Sequence, residues 1–286
     1  MDLRQSKIKT HKIVLFSLCS ILGLMLFLTI GILMASEIVA TQSVKNPELS
    51  WHDNFDDLDS IDIELVAYQF DDIAENFQHS RGTIYLTFDD GPGAYTAKLL
   101  DILKKYDVKV TFFVTGSGDD ALIQREYNEG HTVGLHTWSH RYEQLYRNVN
   151  AYFDDLNLIH DRVQKLTGFD SKIIRFPGGS SNTVSSRYDG GSRLMSTLTR
   201  EVEKRGYVYF DWNVASGDAG NITTADGVYN NVVSHLQDGA NVVLQHDIKD
   251  FSVNAVERII QYGMANGYTF KPLTADSPTM HHGVNN

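Results

Sequence analysis

Two adjacent carboxylates, Asp89 and Asp90, end an apolar run, Thr83-Ile84-Tyr85-Leu86, and are followed at once by Gly91-Pro92. Like charges held side by side repel, and partial desolvation raises the cost. A metal cation, or a cation together with an arginine, relieves it. The β-branched and aromatic run marks a buried strand, and Gly-Pro turns the chain so that both carboxylates stay at its mouth. Alone, Asp-Asp-Gly-Pro also reads as a polar turn. A second cluster, His136-Thr137-Trp138-Ser139-His140, sets two imidazoles four residues apart. On a helical turn both would share one face, a spacing suited to one divalent cation. With Asp90 the set becomes two histidines and a carboxylate. That suits a catalytic zinc with an open position for water, and also fits other divalent transition metals. Such a metal lowers the pKa of its bound water and polarises a carbonyl. Asp89 could then take the water's proton.

The elements that must hold these groups alternate. Helical spacing predicts helices over 94–105, 121–129, 149–166, 196–204, 224–236 and 254–264. β-branched and aromatic runs predict strands at 83–86, 108–115, 131–135, 172–176, 207–212, 240–245 and 268–270. Strand–helix alternation implies parallel strands covered by helices, as a closed barrel or an open sheet. Asp89-Asp90, His136, Arg175, Trp212 and His246 all fall at or just beyond the carboxyl ends of successive strands. In a barrel those ends converge on one mouth, whereas an open sheet would spread them along an edge. A barrel is therefore the expected architecture.

An uncharged run from Ile13 to Ala35 precedes this region. At about 1.5 Å per residue it can cross a hydrocarbon core of about 30 Å. Arg4, Lys7, Lys9 and Lys12 come before it, and the next cation is Lys45. The positive-inside rule then leaves the amino terminus in the cytoplasm and the remaining mass outside. The run exceeds the roughly 7–15 apolar residues of a signal peptide, so an uncleaved anchor is the expectation. Ala35, Ser36 and Ala40 leave cleavage open. The expected organisation is a basic segment over 1–12, an anchor over 13–35, an acidic stalk over 36–80, the main domain over 81–272 and a flexible tail over 273–286, with His281-His282 a solvated pair. A formal net charge of −11 argues against a nucleic-acid partner. Cys19 is the single cysteine and lies in the apolar run, which excludes cysteine nucleophiles and cysteine zinc clusters.

Five segments appear in order: Thr87-Phe88-Asp89-Asp90-Gly91, His136-Thr137-Trp138-Ser139-His140, Arg175-Phe176-Pro177-Gly178-Gly179, Asp211-Trp212 with Asp218, and Leu244-Gln245-His246. Together they resemble the five motifs of polysaccharide deacetylases, the NodB-homology or carbohydrate esterase family 4 group, over residues 83–270. The resemblance implies a distorted (β/α) barrel and metal-dependent removal of N-acetyl groups from sugars. It implies Asp89 as catalytic base and Asp90, His136 and His140 as ligands of one divalent metal, with zinc first and cobalt or manganese as alternatives. Arg175 would hold the base carboxylate charged, because a guanidinium beside it lowers its pKa. His246 would be the general acid, tuned by Asp218. Trp212 and Leu244 would wall the acetyl methyl and the sugar face, with Pro177 lining the groove. Many relatives carry tyrosine at position 178; the glycine here still supplies the backbone N–H implied as oxyanion donor.

The expected protein is a membrane-anchored, outward-facing metal-dependent hydrolase acting on a polysaccharide, with peptidoglycan N-acetylglucosamine as first substrate. The alternatives are a deacetylase of chitooligosaccharide, exopolysaccharide or O-acetyl xylan, or a non-catalytic glycan-binding protein. The last should lack the base, a ligand or the acid, and none is missing. The motifs leave the oligomeric state undetermined.

Overall fold

The computed structural model describes residues 81–188 and 191–286. The basic segment, apolar run and acidic stalk expected over 1–80 lie outside them. Among the described residues, no helix is long and apolar enough to cross a membrane. In chain order the elements are β1 (Gly82–Asp89), α1 (Thr96–Lys105), β2 (Thr111–Val114), α2 (Asp120–Asn128), β3 (Thr132–Leu135), α3 (Tyr142–Leu145), α4 (Val149–Thr167) and β4 (Ile173–Ile174). A 3-10 turn (Val184–Arg187) then leads to α5 (Leu194–Lys204), β5 (Val208–Tyr209), β6 (Val214–Ala215), α6 (Ala225–His235), β7 (Gly239–His246), α7 (Asp250–Ala265) and β8 (Tyr268–Phe270).

All strand pairs are parallel, in the order β5-β4-β3-β2-β1-β7-β6. β1 sits at the centre because it is buried on both faces, as its near-continuous apolar run requires. β7 follows its whole length, while the opposite edge is shared by β2 at the carboxyl half and β8 at the amino half. No pairing joins β5 to β6 among the described residues. The fold is thus a parallel-strand half-barrel, which agrees with the distorted (β/α) barrel expected except that it does not close. Only residues 210–213 separate those two strands, whereas adjacent parallel strands need a crossover of about a dozen residues or more. Residues 279–286, expected as a frayed tail, instead make hydrogen bonds and ring contacts with β5 and the loop that follows it.

Side-chain alternation along the strands divides the core between two faces. Ile84, Leu86, Phe88, Phe112 and Val243 pack in the large cluster that includes the helices. Their strand neighbours Phe113 and Val242 join Ile173, Phe210 and Leu273 on the inner face, with Tyr85, Trp212 and Met280 against them. The helix α4 illustrates the outer layer: Tyr152, Phe153, Leu156, Ile159 and Val163 form its buried stripe, and Gly168 stops it in the left-handed region (φ 74°).

Candidate active site

Asp89 and His246 are the last residues of β1 and β7 and stand in register on adjacent strands. Thr87 and Asp89 fall two apart, so both follow the inner face. There they meet Arg175, a fully buried guanidinium just beyond β4. Its Nη1 donates to Asp89 Oδ1 at 2.8 Å and to Thr87 Oγ1 at 2.6 Å. Nε and Nη2 donate to the carbonyls of Phe210 and Asp211, each at 3.0 Å. The guanidinium also lies over the Phe113 ring, 4.3 Å from its centroid. Planar, multiply donating contacts of this kind need arginine rather than lysine. The net effect on Asp89 differs from the sequence expectation. Burial pushes its carboxyl up, and Arg175, His246 and His140 pull it down without reversing the shift. A divalent cation next to Asp90 would add a further downward pull.

The two histidines do not occupy a helical turn. Residues 136–141 form a bent loop after β3, with Thr137 (φ 67°) and His140 (φ 50°) in the left-handed region, where Asp90 (φ 74°) also lies. Non-glycine residues held there are strained, a feature that clusters at functional sites. The loop is pinned by Asp155 of α4, which accepts from the amides of Trp138 and Ser139 at 2.6 and 3.0 Å. His136 Nδ1 sits 2.8 Å from the Arg175 carbonyl. A carbonyl can only accept, so this contact fixes the proton on Nδ1 and leaves the Nε2 lone pair facing the site. Burial, with His140 nearby, pushes the His136 imidazole down to about 3. It is neutral, as a metal ligand must be.

His136 Nε2 is 3.6 Å and His140 Nε2 3.4 Å from Asp90 Oδ1. One donor atom from each of Asp90, His136 and His140 lies within 4.8 Å of the other two. Asp90 Oδ1 is buried with no hydrogen-bond partner among the described residues. An unpartnered buried carboxylate oxygen between two imidazole nitrogens is the donor set that a divalent cation completes.

On the other flank, His246 Nδ1 lies 2.8 Å from Asp218 Oδ1. Asp218 is delivered by the loop after β6, and its Oδ2 accepts from the His246 amide (2.9 Å) and Ser252 Oγ of α7 (2.7 Å). Burial lowers the His246 imidazole, but the Asp218 hydrogen bond and charge, with Asp89 and Asp90 behind them, outweigh it and raise it overall. Asp218 is itself desolvated, yet its bonds to His246, Ser252 and Ser216 hold it below its ordinary value. His246 Nε2 faces Asp90 Oδ2 at 3.8 Å.

Leu244 and Trp212 are half-buried at this end, and Gly178 is exposed. Pro177 is buried and anchors the turn through its carbonyl, which accepts from Tyr146 OH at 2.6 Å. Gly178 and Gly179 both have φ 79°, and a Cβ on Gly179 would press into the Trp212 ring at 2.9 Å. Position 178 thus holds a left-handed backbone in which any Cβ is strained, whatever its size. Tyr142 OH lies 3.2 Å from where its Cβ would be. Tyr142, half-buried, also packs on the His140 ring at 5.5 Å, a site residue that sequence reasoning missed. Its only signal was an aromatic two residues after His140. Ser180 and Ser252 were likewise missed, since lone serines carry no pattern.

Residues 76–189 match the family model described as polysaccharide deacetylase. A peptidoglycan-N-acetylglucosamine deacetylase of Bacillus cereus is 34% identical over 213 residues, 72% of this chain and 73% of the relative. The peptidoglycan-N-acetylmuramic acid deacetylase PdaA of Bacillus subtilis is 33% identical, across 67% and 70% of the two chains. The crystal structure of the catalytic domain of a peptidoglycan N-acetylglucosamine deacetylase from Eubacterium rectale superposes with a TM-score of 0.69 at 54% identity, covering 71% of this chain and 94% of that one.

Proposed function

Because this chain belongs to the polysaccharide deacetylase family, whose members are hydrolases, we propose that it removes N-acetyl groups from an extracytoplasmic glycan, with peptidoglycan N-acetylglucosamine as first substrate. The observation that carries this reading is the register of Asp89 and His246. It sets a carboxylate and a raised imidazole on the two flanks of the Asp90–His136–His140 cluster. Asp90, His136 and His140 would hold a divalent cation, which would supply Lewis acidity to the reaction.

Asp89 Oδ1 is committed to Arg175, so Oδ2 is the oxygen free to take the proton of the attacking water. The exposed turn at Gly178 offers its N–H to the developing oxyanion. His246 keeps one proton on Nδ1 toward Asp218 and carries the second on Nε2. That second proton passes to the sugar nitrogen as the carbon–nitrogen bond breaks. Acetate and a free amino sugar result. Trp212 and Leu244 serve as apolar walls for the methyl and the sugar face. The uncharged run 13–35 and the cations before it support an anchored, outward-facing enzyme.

The test is acetate release by the protein from N-acetylated peptidoglycan and from chitooligosaccharides side by side. Each is run with chelator, then with zinc, cobalt or manganese restored. Release from peptidoglycan that stops with chelator and returns with metal is the expected result. Analysis of the product sugars assigns glucosamine or muramic acid. Release from the oligosaccharides alone moves the substrate, and no release from either overturns the reading.

A further inference from the structure

Beside the opening between β5 and β6, residues 279–286 pack on β5, the loop after it and the turn that follows Gly179, a segment with no part in the proton transfers or the metal cluster. The amide of Asp211 donates to the Thr279 carbonyl at 3.1 Å. The His281 ring stacks on Tyr209 of β5, centroids 3.6 Å apart, and its Nε2 meets the Tyr209 carbonyl at 2.9 Å. His282 is the pivot. Its amide donates to Asp211 Oδ2 at 2.9 Å, and its Nε2 lies 2.6 Å from the Trp212 carbonyl. The carbonyl can only accept, so Nε2 carries the proton. Nδ1 is then free to accept from Ser181 Oγ at 3.3 Å. The ring meets the Trp212 indole edge-on at 4.8 Å. Beyond it, Asn285 Nδ2 donates to the Ser181 carbonyl at 2.6 Å, and Asn286 Nδ2 to the Asn182 carbonyl at 3.1 Å.

What the segment grips is the part of the site that no regular element fixes. Asp211 is fully buried, and its two carboxylate oxygens accept from Ser180 N (2.9 Å) and Ser180 Oγ (2.5 Å). Ser180 ends the turn through Gly178 and Gly179, and Gly179 packs directly under Trp212. The same Asp211 presents its carbonyl to Arg175, which holds Asp89.

We infer that residues 279–286 form a strap that positions the Trp212 wall and the 177–180 turn against the bound sugar, with His282 as the positioning residue. The inference rests on the deacetylase reading of this site. His282 touches no reacting atom. It acts through Trp212 and Asp211, and its effect falls on substrate binding more than on the chemical step.

Three full-length variants separate this role from simple packing. His282→Gln keeps an N–H donor near the Nε2 position and so retains the bond to Trp212. His282→Asn ends one bond short of it, and His282→Ala has no donor. Loss of one neutral hydrogen bond predicts a KM for the N-acetylated glycan raised about fivefold in H282A and H282N, with kcat changed less. H282Q is expected within about twofold of the parent. Hydrogen–deuterium exchange, run without substrate, is expected to rise in H282A and H282N only in the strap itself and in peptides spanning 177–182 and 211–213. Unchanged exchange in those peptides overturns the strap, as does a rise spread over the whole domain or an equal effect of H282Q and H282A. If the parent releases no acetate while the local exchange pattern appears, the deacetylase reading fails and the strap stands.

Discussion

His246 and Asp247 are neighbours in the chain and serve opposite faces of the sheet. On the inner face, Asp89, Asp90 and Asp218 meet Arg175, His246 and two further imidazoles. On the helix side, Asp247 and Glu126 are both buried, and among the described residues no cation hydrogen-bonds either of them. Thr96 of α1 donates to Asp247 Oδ2, while Asp247 Oδ1 and both Glu126 oxygens have no partner there. Burial pushes Asp247 up to about 7, against the Thr96 bond, and pushes Glu126 well above its ordinary value. Asp247 also fills the space beside Gly91, where any Cβ would collide with its carboxylate. The same desolvation acts on both faces. On the inner face cations hydrogen-bond the acids, which offsets part of the burial shift at Asp89 and holds Asp218 below its ordinary value. On the outer face Arg162 and His246 act only through space, and the acids favour their neutral forms.

That contrast can be broken at its strongest point first. Asp89→Asn removes the proton acceptor but keeps an oxygen for Arg175. Acetate release should fall about 10²–10⁴-fold with the fold intact. Residual activity above a tenth of the parent would remove Asp89 from the base role. Arg175→Met strikes the counter-charge instead. It leaves a buried carboxylate and two carbonyls unpaired, and urea melts should show a loss of about 3–5 kcal/mol.

Asp218→Asn weakens the hold on the imidazolium. Burial then dominates at His246, so the alkaline limb of the activity profile should move to lower pH, costing about tenfold in kcat at pH 8. A limb that stays in place assigns it to another group. The native His246 binds its proton more tightly than the unfolded chain does. Its stabilising contribution is therefore present below about 6.5 and is lost as pH rises through the raised native value.

The smallest effect on activity is expected on the outer face. Native Asp247 holds a proton up to about 7, against an ordinary value of 3.8. The folded state thus binds more protons than the unfolded state across that interval. Stability falls as pH rises through it, by at most about 1.4 kcal/mol per pH unit. Asp247→Asn, melted with chelator present, should be more stable than the parent at pH 8, with the advantage shrinking towards pH 4. An advantage that is independent of pH would mean the carboxyl does not titrate in this range.

Much of this organisation was legible in the residues themselves. The apolar run into Asp89-Asp90 marked the central strand, and the helical stripe from Tyr152 to Val163 with Gly168 behind it marked α4, because hydrophobic period and glycine stops are local signals. The types and order of Asp89, Asp90, His136, His140, Arg175, Asp218 and His246 also stood in the sequence. Their geometry did not. The i,i+4 spacing of the histidines suggested a helical turn, yet two left-handed residues bend the loop, a conformation that spacing cannot encode. Arg175 suggested a depressed Asp89, but the sign depends on burial, which the whole domain sets.

The missing staves of the barrel follow the same division. A short, mainly aromatic run at 207–212 announced a strand, and only the tertiary arrangement decided that β5 and β6 stay apart, with His281 against β5 and His282 against the loop between them. What the sequence determined alone is the inventory of chemistry and its alternation along the chain. Register, closure and the sign of each buried charge came from the fold, because they depend on groups separated by tens to hundreds of residues.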